Sequence, residues 1–304
     1  MGGAALAAGL CTAQNWFDGG GGGRSGGGRR WGGSAGPHVQ TEGGETVNED
    51  TVRTARETAS HSTGTPEWTN APGFEKDVFT FARVIYQTGN WPGPSWLGWI
   101  NDYPDSDLNL SYRLQQLTSM KVDPDGRVLK LTSRELCEYP FIYLVQPGHV
   151  ALRDEEVPIL RQYLLNGGAL MADDFWGARD WSHFESEMKR VLPESSWVEL
   201  PMEHPLFHCV FDLKGSKNSL QVPTIHFWER GRDGVTYRRG EDGRDLHVRA
   251  WLDQRQRIMV IATHNTDNGD GWEREGEDLE YFRTFSETRA YPLAINIIFY
   301  LMTH

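Results

Sequence analysis

An α/β fold, a parallel β-sheet with helices on both faces, is what this sequence predicts. Three observations carry that expectation. Short apolar runs rich in β-formers alternate with amphipathic segments of about ten to fifteen residues, the pattern of βαβ units. One of those runs, ALMA at residues 169–172, is apolar without alternation, as a central strand buried on both sides requires. Aspartate, asparagine, histidine and tryptophan gather where several runs stop, and an open parallel sheet holds its ligands just outside those strand ends.

Composition separates a head from a body. The chain has 304 residues, 38% of them hydrophobic, which supplies one sizeable core or two small ones. Many of its 34 glycines precede Gly44. Residues 1–13 resemble the end of a secretory signal peptide with Ala13 at the cleavage position, although the basic leading region is missing. A periplasmic or secreted location follows from that reading, with a cytoplasmic one as the alternative. Residues 14–73 read as a Gly-rich low-complexity tail, a tether through which a protein partner could be held, and residues 74–304 as the α/β domain. The net charge of -12 argues against a nucleic-acid partner, since phosphate binding needs a basic face; only Arg24, Arg29 and Arg30 go the other way, inside the Gly-rich head. No run approaches the ~18 apolar residues of a transmembrane segment. With Cys11 removed, Cys137 and Cys209 permit one disulfide without requiring it.

Within the body, VFTFARVIY (78–86) alternates and is rich in β-formers, a strand. A helix follows in SDLNLSYRLQQLTSM, capped by Asp105 or Ser106, with Leu110, Leu114 and Leu117 on one face. Strands are expected at 128–131 and 141–147. Between the second of these and ALMA lies LRDEEVPILRQYLLNGG, a helix that opens on acids and closes on Asn166, Gly167 and Gly168. Pro158 falls in its first turns, where proline does least harm. WSHFESEMKRVLP is amphipathic and ends at Pro193. VTYRRGEDGRDLHVRAW reads as an added β-hairpin turning through Glu241, Asp242 and Gly243, and RIMVIATHN as a further buried strand. The last segment, YPLAINIIFYLMTH, suits a buried helix with Pro292 in its first turn.

The strand ends nominate a site. ALMA runs directly into Asp173 and Asp174, followed by Phe175, Trp176 and Gly177. Neighbours on a strand point to opposite faces, so one of the two aspartates faces the cleft unless the chain turns there. Three other stretches join them: NDYPDSDLNL with Asp102, Tyr103, Asp105, Asp107 and Asn109; MEHPLFHCVFDL with His204 and His208; THNTDNGDGWE with His264, Asn265, Asp267, Asp270, Trp272 and Glu273. Taken singly, each has a structural reading as turn chemistry, Asn-Gly-Asp-Gly as a hairpin. Together they suggest that Asp173, Asp174 and His264 do chemistry and that Asp102, Tyr103, Asp107, Asn109, Trp176, His204, His208, Asn265, Asp267, Asp270 and Trp272 bind a ligand. No cofactor is expected; zinc on His204, His208, His264 and Asp173 is the alternative, without a compact ligand motif behind it. The acids of DNGDG are not spaced for an EF-hand, and neither a Gly-x-Ser-x-Gly elbow nor a phosphate loop is present.

Five segments, DYPDSDLNLSYRLQQLTS, YLLNGGALMADDFWG, HPLFHCVFDL, HNTDNGDGWE and YPLAINIIFYLMTH, in that order, resemble the bacterial family grouped as domain of unknown function 4159, over about residues 79–304. The resemblance implies a flavodoxin-like sheet similar to class I glutamine amidotransferases and to the trehalose-utilisation (ThuA-like) proteins. That superfamily's catalytic cysteine has no counterpart here, because residues 173–177 occupy the corresponding turn. Glutamine hydrolysis is therefore not expected. Three functions remain: an exported module that binds a polar ligand, such as a saccharide or cell-envelope fragment, with tryptophans for stacking; a structural or assembly protein; or a hydrolase using Asp173 or Asp174 with His204 or His264, metal-assisted or not.

Overall fold

The computed structural model describes residues 37–62, 64–73, 77–89, 97–231, 234–238 and 242–304. The expected signal peptide and the glycine-rich start of the tail lie outside these residues. Among the described residues the strands are β1 (His38–Gln40), β2 (Thr46–Asn48), β3 (Ala82–Ile85), β4 (Arg127–Lys130), β5 (Phe141–Val145), β6 (Ala169–Asp173), β7 (Trp197–Glu199), β8 (His247–Leu252) and β9 (Ile258–His264). The helices are α1 (Asp105–Leu117), α2 (Glu156–Leu165), α3 (Gly177–Val191), α4 (Ile225–Gly231), α5 (Asn268–Glu273), α6 (Leu279–Tyr281) and α7 (Tyr291–Thr303), with a π-helical stretch, Phe282–Ala290, joining the last two. Seven strands form one sheet in the order β4-β3-β5-β6-β9-β8-β7.

Five neighbours, β4, β3, β5, β6 and β9, run parallel, while β8 is antiparallel to both β9 and β7. The sheet is therefore mixed at one end, where the sequence suggested a separate hairpin. Val235 to Arg238 form no strand, because both edges of β8 are already taken, by β9 on one side and β7 on the other. Alternation splits the strands between two cores. Leu170 and Ala172 of β6 pack with Leu160 and Leu164 of α2 and Phe184 and Met188 of α3. Met171 packs on the opposite side with Leu110 and Leu114 of α1 and the apolar residues of α7. Helices thus cover both faces, as a central parallel strand demands.

Local expectations hold where local rules decide. Asn166 ends α2 and Gly167 takes φ +112°, a left-handed closure that favours glycine. Pro292 sits in the first turn of α7. At α1 tertiary contacts win instead. Asp105 and Ser106 lie inside the first turn and neither caps it: Asp105 accepts from Ser60 and from the His61 backbone N–H, and Ser106 from Arg83. Leu110 and Leu114 are buried, but Leu117, on the last turn, is 49% exposed. The stretch Asn268–Gly271 opens α5 and makes no hairpin. Cys137 and Cys209 are unpaired, and no described helix is long and apolar enough to cross a membrane.

Residues 37–73 do not behave as the loose tail their composition suggested. β1 and β2 pair antiparallel, and Val47, Val52 and Ala55 join the core on the α2/α3 side. The Trp68 indole N–H donates to the Val122 carbonyl at 2.8 Å. A few well-spaced apolar residues and directed hydrogen bonds suffice to dock this segment without a repeating pattern.

Arg83 on β3 is fully buried and fully used. Its Nε donates to both oxygens of Asp107 on α1 at 3.0 and 2.9 Å, Nη1 to the carbonyls of Trp99 and Asn101, and Nη2 to Ser106 Oγ and Asp107. One guanidinium thus fixes the strand, the helix and the loop between them. Replacing Asp107 with alanine strands that charge in a dry site and is expected to cost about 3–5 kcal/mol, read as a lower urea midpoint.

Candidate functional site

The site grows from the ends of three adjacent parallel strands. Gln146, Asp174 and Asn265 each follow the last residue of β5, β6 and β9, and each turns into the left-handed region, with φ of +49°, +56° and +66°. Asp102, after the loop from β3, does the same at +61°. Aspartate and asparagine tolerate this conformation better than most residues. The turn at Asp174 separates the paired aspartates.

Asp173, still on the strand, accepts from the Thr263 hydroxyl, from Asn268 Nδ2 at 2.7 Å, and from the backbone N–H groups of Asn268 and Gly269 at 3.0 and 3.1 Å. Three of these bonds hold the start of α5 and the fourth ties Asp173 to β9. Asp174 faces the other way. Its Oδ2 accepts from Asn101 Nδ2 at 3.1 Å and Gln146 Nε2 at 3.0 Å, and its Oδ1 from the Trp176 indole at 3.2 Å.

Four more acids close over the same rim. Asp102, Asp173, Asp174, Asp267, Asp270 and Glu273 are each at most 5% exposed. One oxygen each from Asp102, Asp174 and Asp267 lie within 4.8 Å of one another, and so do one each from Asp102, Asp270 and Glu273. Burial, reinforced by neighbouring carboxylates, holds Asp102 and Asp267 well above the usual carboxylate range. Burial also pushes Asp173 up to about 7, against its hydrogen bonds, and Asp174 up to about 6, against the charge of Arg238. Compensation is uneven. Arg274 pairs with Glu273 at 2.8 Å, lies 3.7 Å from Asp270, and reaches Glu42 and Glu277. His61 bridges Asp105 at 3.0 Å and Glu273 at 2.8 Å.

A cleft leads in from solvent. It holds about 420 Å³ between His149, Trp176, Arg179, Asp180, Arg238 and Asp242. A smaller recess, sharing His149, Trp176, Asp180 and Arg238, reaches Gln146 and Asp174.

Several residues expected here serve elsewhere. His264 closes β9 on the α3 side of the sheet, its ring against Phe175 and Trp181 and its Nε2 3.0 Å from the Gly177 carbonyl; burial takes it down to about 3. Alternation puts its neighbour Thr263, not His264, beside Asp173. His204 caps a 3-10 turn, Pro205–His208, and packs on Tyr300; His208 pairs with Asp212 at the surface. The four residues considered for zinc are therefore not brought together. Tyr103 donates to the Thr54 carbonyl, Asp107 holds Arg83, and Asn109 donates to the Trp272 carbonyl at 2.8 Å. Asn265 ties loops through Gly177 N–H and the carbonyls of Asp242 and Asp245. Trp272 is wholly buried against Phe81 and Tyr143, and Trp176 is 3% exposed, so neither presents a stacking face.

Sequence reasoning passed over Gln146, Asn101, Arg238, Tyr143, Gly269, His61 and Arg274. Gln146 carried a readable signal: a polar residue directly after an apolar run, as at Asp173. The others are placed only by the tertiary fold.

The family model described as domain of unknown function (DUF4159) matches residues 80–302. No curated protein matches the chain.

The His61 bridge predicts a pH dependence. Its hydrogen bonds to Asp105 and Glu273 raise its pKa from the ordinary 6.5 to about 10. A raised folded-state value means stabilisation that is complete below about 6.5 and lost as pH climbs through about 10. His61→Ala should therefore cost about 2 kcal/mol in urea unfolding at pH 6, with the gap from the parent protein narrowing steadily toward pH 10.

Proposed function

The chain belongs to the DUF4159 family, and we propose that it is a binding module that takes a small polar ligand at the carboxyl-end rim of its sheet. The observation that carries this reading is the continuity of the cleft with the recess below it, which gives buried Asp174 a route to solvent. The cleft volume of about 420 Å³ is in the range of small-molecule sites, and its walls carry both signs of charge.

Topology supports the same place. Numbered in chain order, the five parallel strands run 2-1-3-4-5, the order of flavodoxin-like sheets, in which ligands bind where the order reverses, between the first and third strands. Here the loops at that point carry Asp102 and Gln146. This order favours the flavodoxin-like reading over other doubly wound sheets. Binding is favoured over hydrolysis because neither His204 nor His264 stands beside Asp173 or Asp174, so the carboxylate–imidazole pairs expected for hydrolysis are not formed, and His61, which does meet Glu273, is held as an ion pair between two carboxylates. With Trp176 and Trp272 buried, recognition of a sugar here would depend on hydrogen bonds and charge in place of ring stacking.

A panel of monosaccharides, polyols, amino acids and small amines, screened by saturation-transfer NMR, tests the proposal. A binder is expected whose affinity falls about tenfold or more in Arg238→Ala or Asp180→Asn, about 1.4 kcal/mol. A panel without a binder, or a binder indifferent to both substitutions, removes this reading.

A further inference from the structure

The acids at and around the rim are not equivalent, and their inequality is informative. Asp270 and Glu273 have a cation close by in Arg274, and Glu273 a second in His61. Asp107 has Arg83 to itself. The hydrogen bonds to Asp102, Asp174 and Asp267 come from neutral donors, with the charge of Arg238 acting on Asp174. Asp267 accepts from the Asp270 N–H at 2.9 Å and the Thr224 hydroxyl at 2.7 Å, and Asp174 from two amides and an indole. Asp102 Oδ1 accepts from Asn101 Nδ2 at 2.8 Å, and its Oδ2 is buried with no hydrogen-bond partner.

A second, uncharged group lies close to that oxygen. The hydroxyl of Tyr143, on fully buried β5, also has no hydrogen-bond partner. A Cβ built on Gly269 would collide with Asp102 Oδ2 and stand 3.5 Å from Tyr143 Oη. The glycine therefore lets an unpartnered carboxylate oxygen sit where a side chain would otherwise be, close to an unpartnered phenol. An orphaned buried polar atom is costly, and two so close together point to a missing partner.

We propose that Asp102, Asp174 and Asp267 bind one hard divalent cation, of the magnesium, manganese or calcium class, beneath the cleft. Each gives one oxygen, and a mutual spread within 4.8 Å is what ligands around one ion show when metal–oxygen distances are about 2.0–2.6 Å. The three come from separate segments, Asp174 and Asp267 just past the ends of β6 and β9 and Asp102 just before α1, so the fold assembles the set before the ion arrives. With three carboxylates and no imidazole or thiolate, the donors suit magnesium, manganese or calcium and not zinc. The ion would bring positive charge to carboxylates whose hydrogen bonds come from neutral donors, and Tyr143 Oη would lie beside its coordination sphere. The alternative triplet through Asp270 and Glu273 is weaker because those carboxylates already have cations. This inference deepens the rim reading and rests on it for the ion's path from solvent.

The test uses the full chain, stripped with EDTA, dialysed, and titrated separately with magnesium, manganese and calcium chloride. Binding is read by the loss of the free manganese electron paramagnetic resonance signal and by thermal unfolding. One manganese ion per chain and a melting temperature that rises with ion concentration are expected. Asp102→Asn and Asp267→Asn should each weaken manganese binding about tenfold or more, whereas Asp212→Asn, on the surface beside His208, should bind as the parent does. Circular dichroism of each stripped variant shows whether it folds; if one does not, the other and the parent titration decide. No response to any of the three ions at millimolar concentration, or unchanged manganese binding in the folded aspartate variants, overturns the proposal. The titration needs no organic ligand, so an ion that binds while the small-molecule panel fails leaves this inference standing and removes only the cleft reading.

Discussion

Six carboxylates share a dry rim above β5, β6 and β9, and the cost of keeping them there governs everything around them. An ionised carboxylate taken out of water must find donors, a counter-charge or a proton. This protein uses each remedy at a different residue. Asp173 is wrapped in four donors, Glu273 has Arg274 and His61, and Asp102 and Asp267 have pKa values displaced far upward by burial and by one another. Such a concentration of like charge costs stability, and it persists beside a cleft open to solvent.

The sheet makes the concentration possible. Parallel strands bring their carboxyl ends to one edge, and left-handed residues at Gln146, Asp174 and Asn265 turn the chain sharply before any helix begins. The same regularity separates groups that sequence order would pair. Period-two alternation sends Thr263 to the side of Asp173 and His264 to the side of α3, where it is dry, aromatic-packed and neutral. A histidine one residue out of register is on the wrong side of a sheet.

Charges that balance the rim come both from the sheet and from the segment before it. Arg83 sits mid-sheet and anchors the Asn101 carbonyl, which positions Asp102. His61 and Glu42 arrive from the segment before β3, one bridging Asp105 and Glu273, the other meeting Arg274. That segment has little periodic hydrophobicity, yet it completes the electrostatics of the domain. Its composition concealed this, because a single imidazole between two carboxylates leaves no repeating trace in a sequence.

What the sequence by itself determined is whatever depends on near neighbours along the chain. The period of the apolar residues marked β3, β5, β6 and β9 and the helices between them. Glycine and proline placed the ends of α2 and the start of α7, and the acids after ALMA were legible as a strand terminus at the ligand-bearing edge. The tertiary structure alone decided which of those acids meet. Asp102, Asp174 and Asp267 are separated by 72 and 93 positions, and only the tertiary fold brings one oxygen of each within 4.8 Å of the others. It also decided that β8 pairs with β7, that His204 and His208 stand apart from the rim, and that residues 37–73 fold onto the body. Periodicity is a local property of the chain. Partner choice among buried charges is a property of three-dimensional distance, on which a one-dimensional pattern is silent.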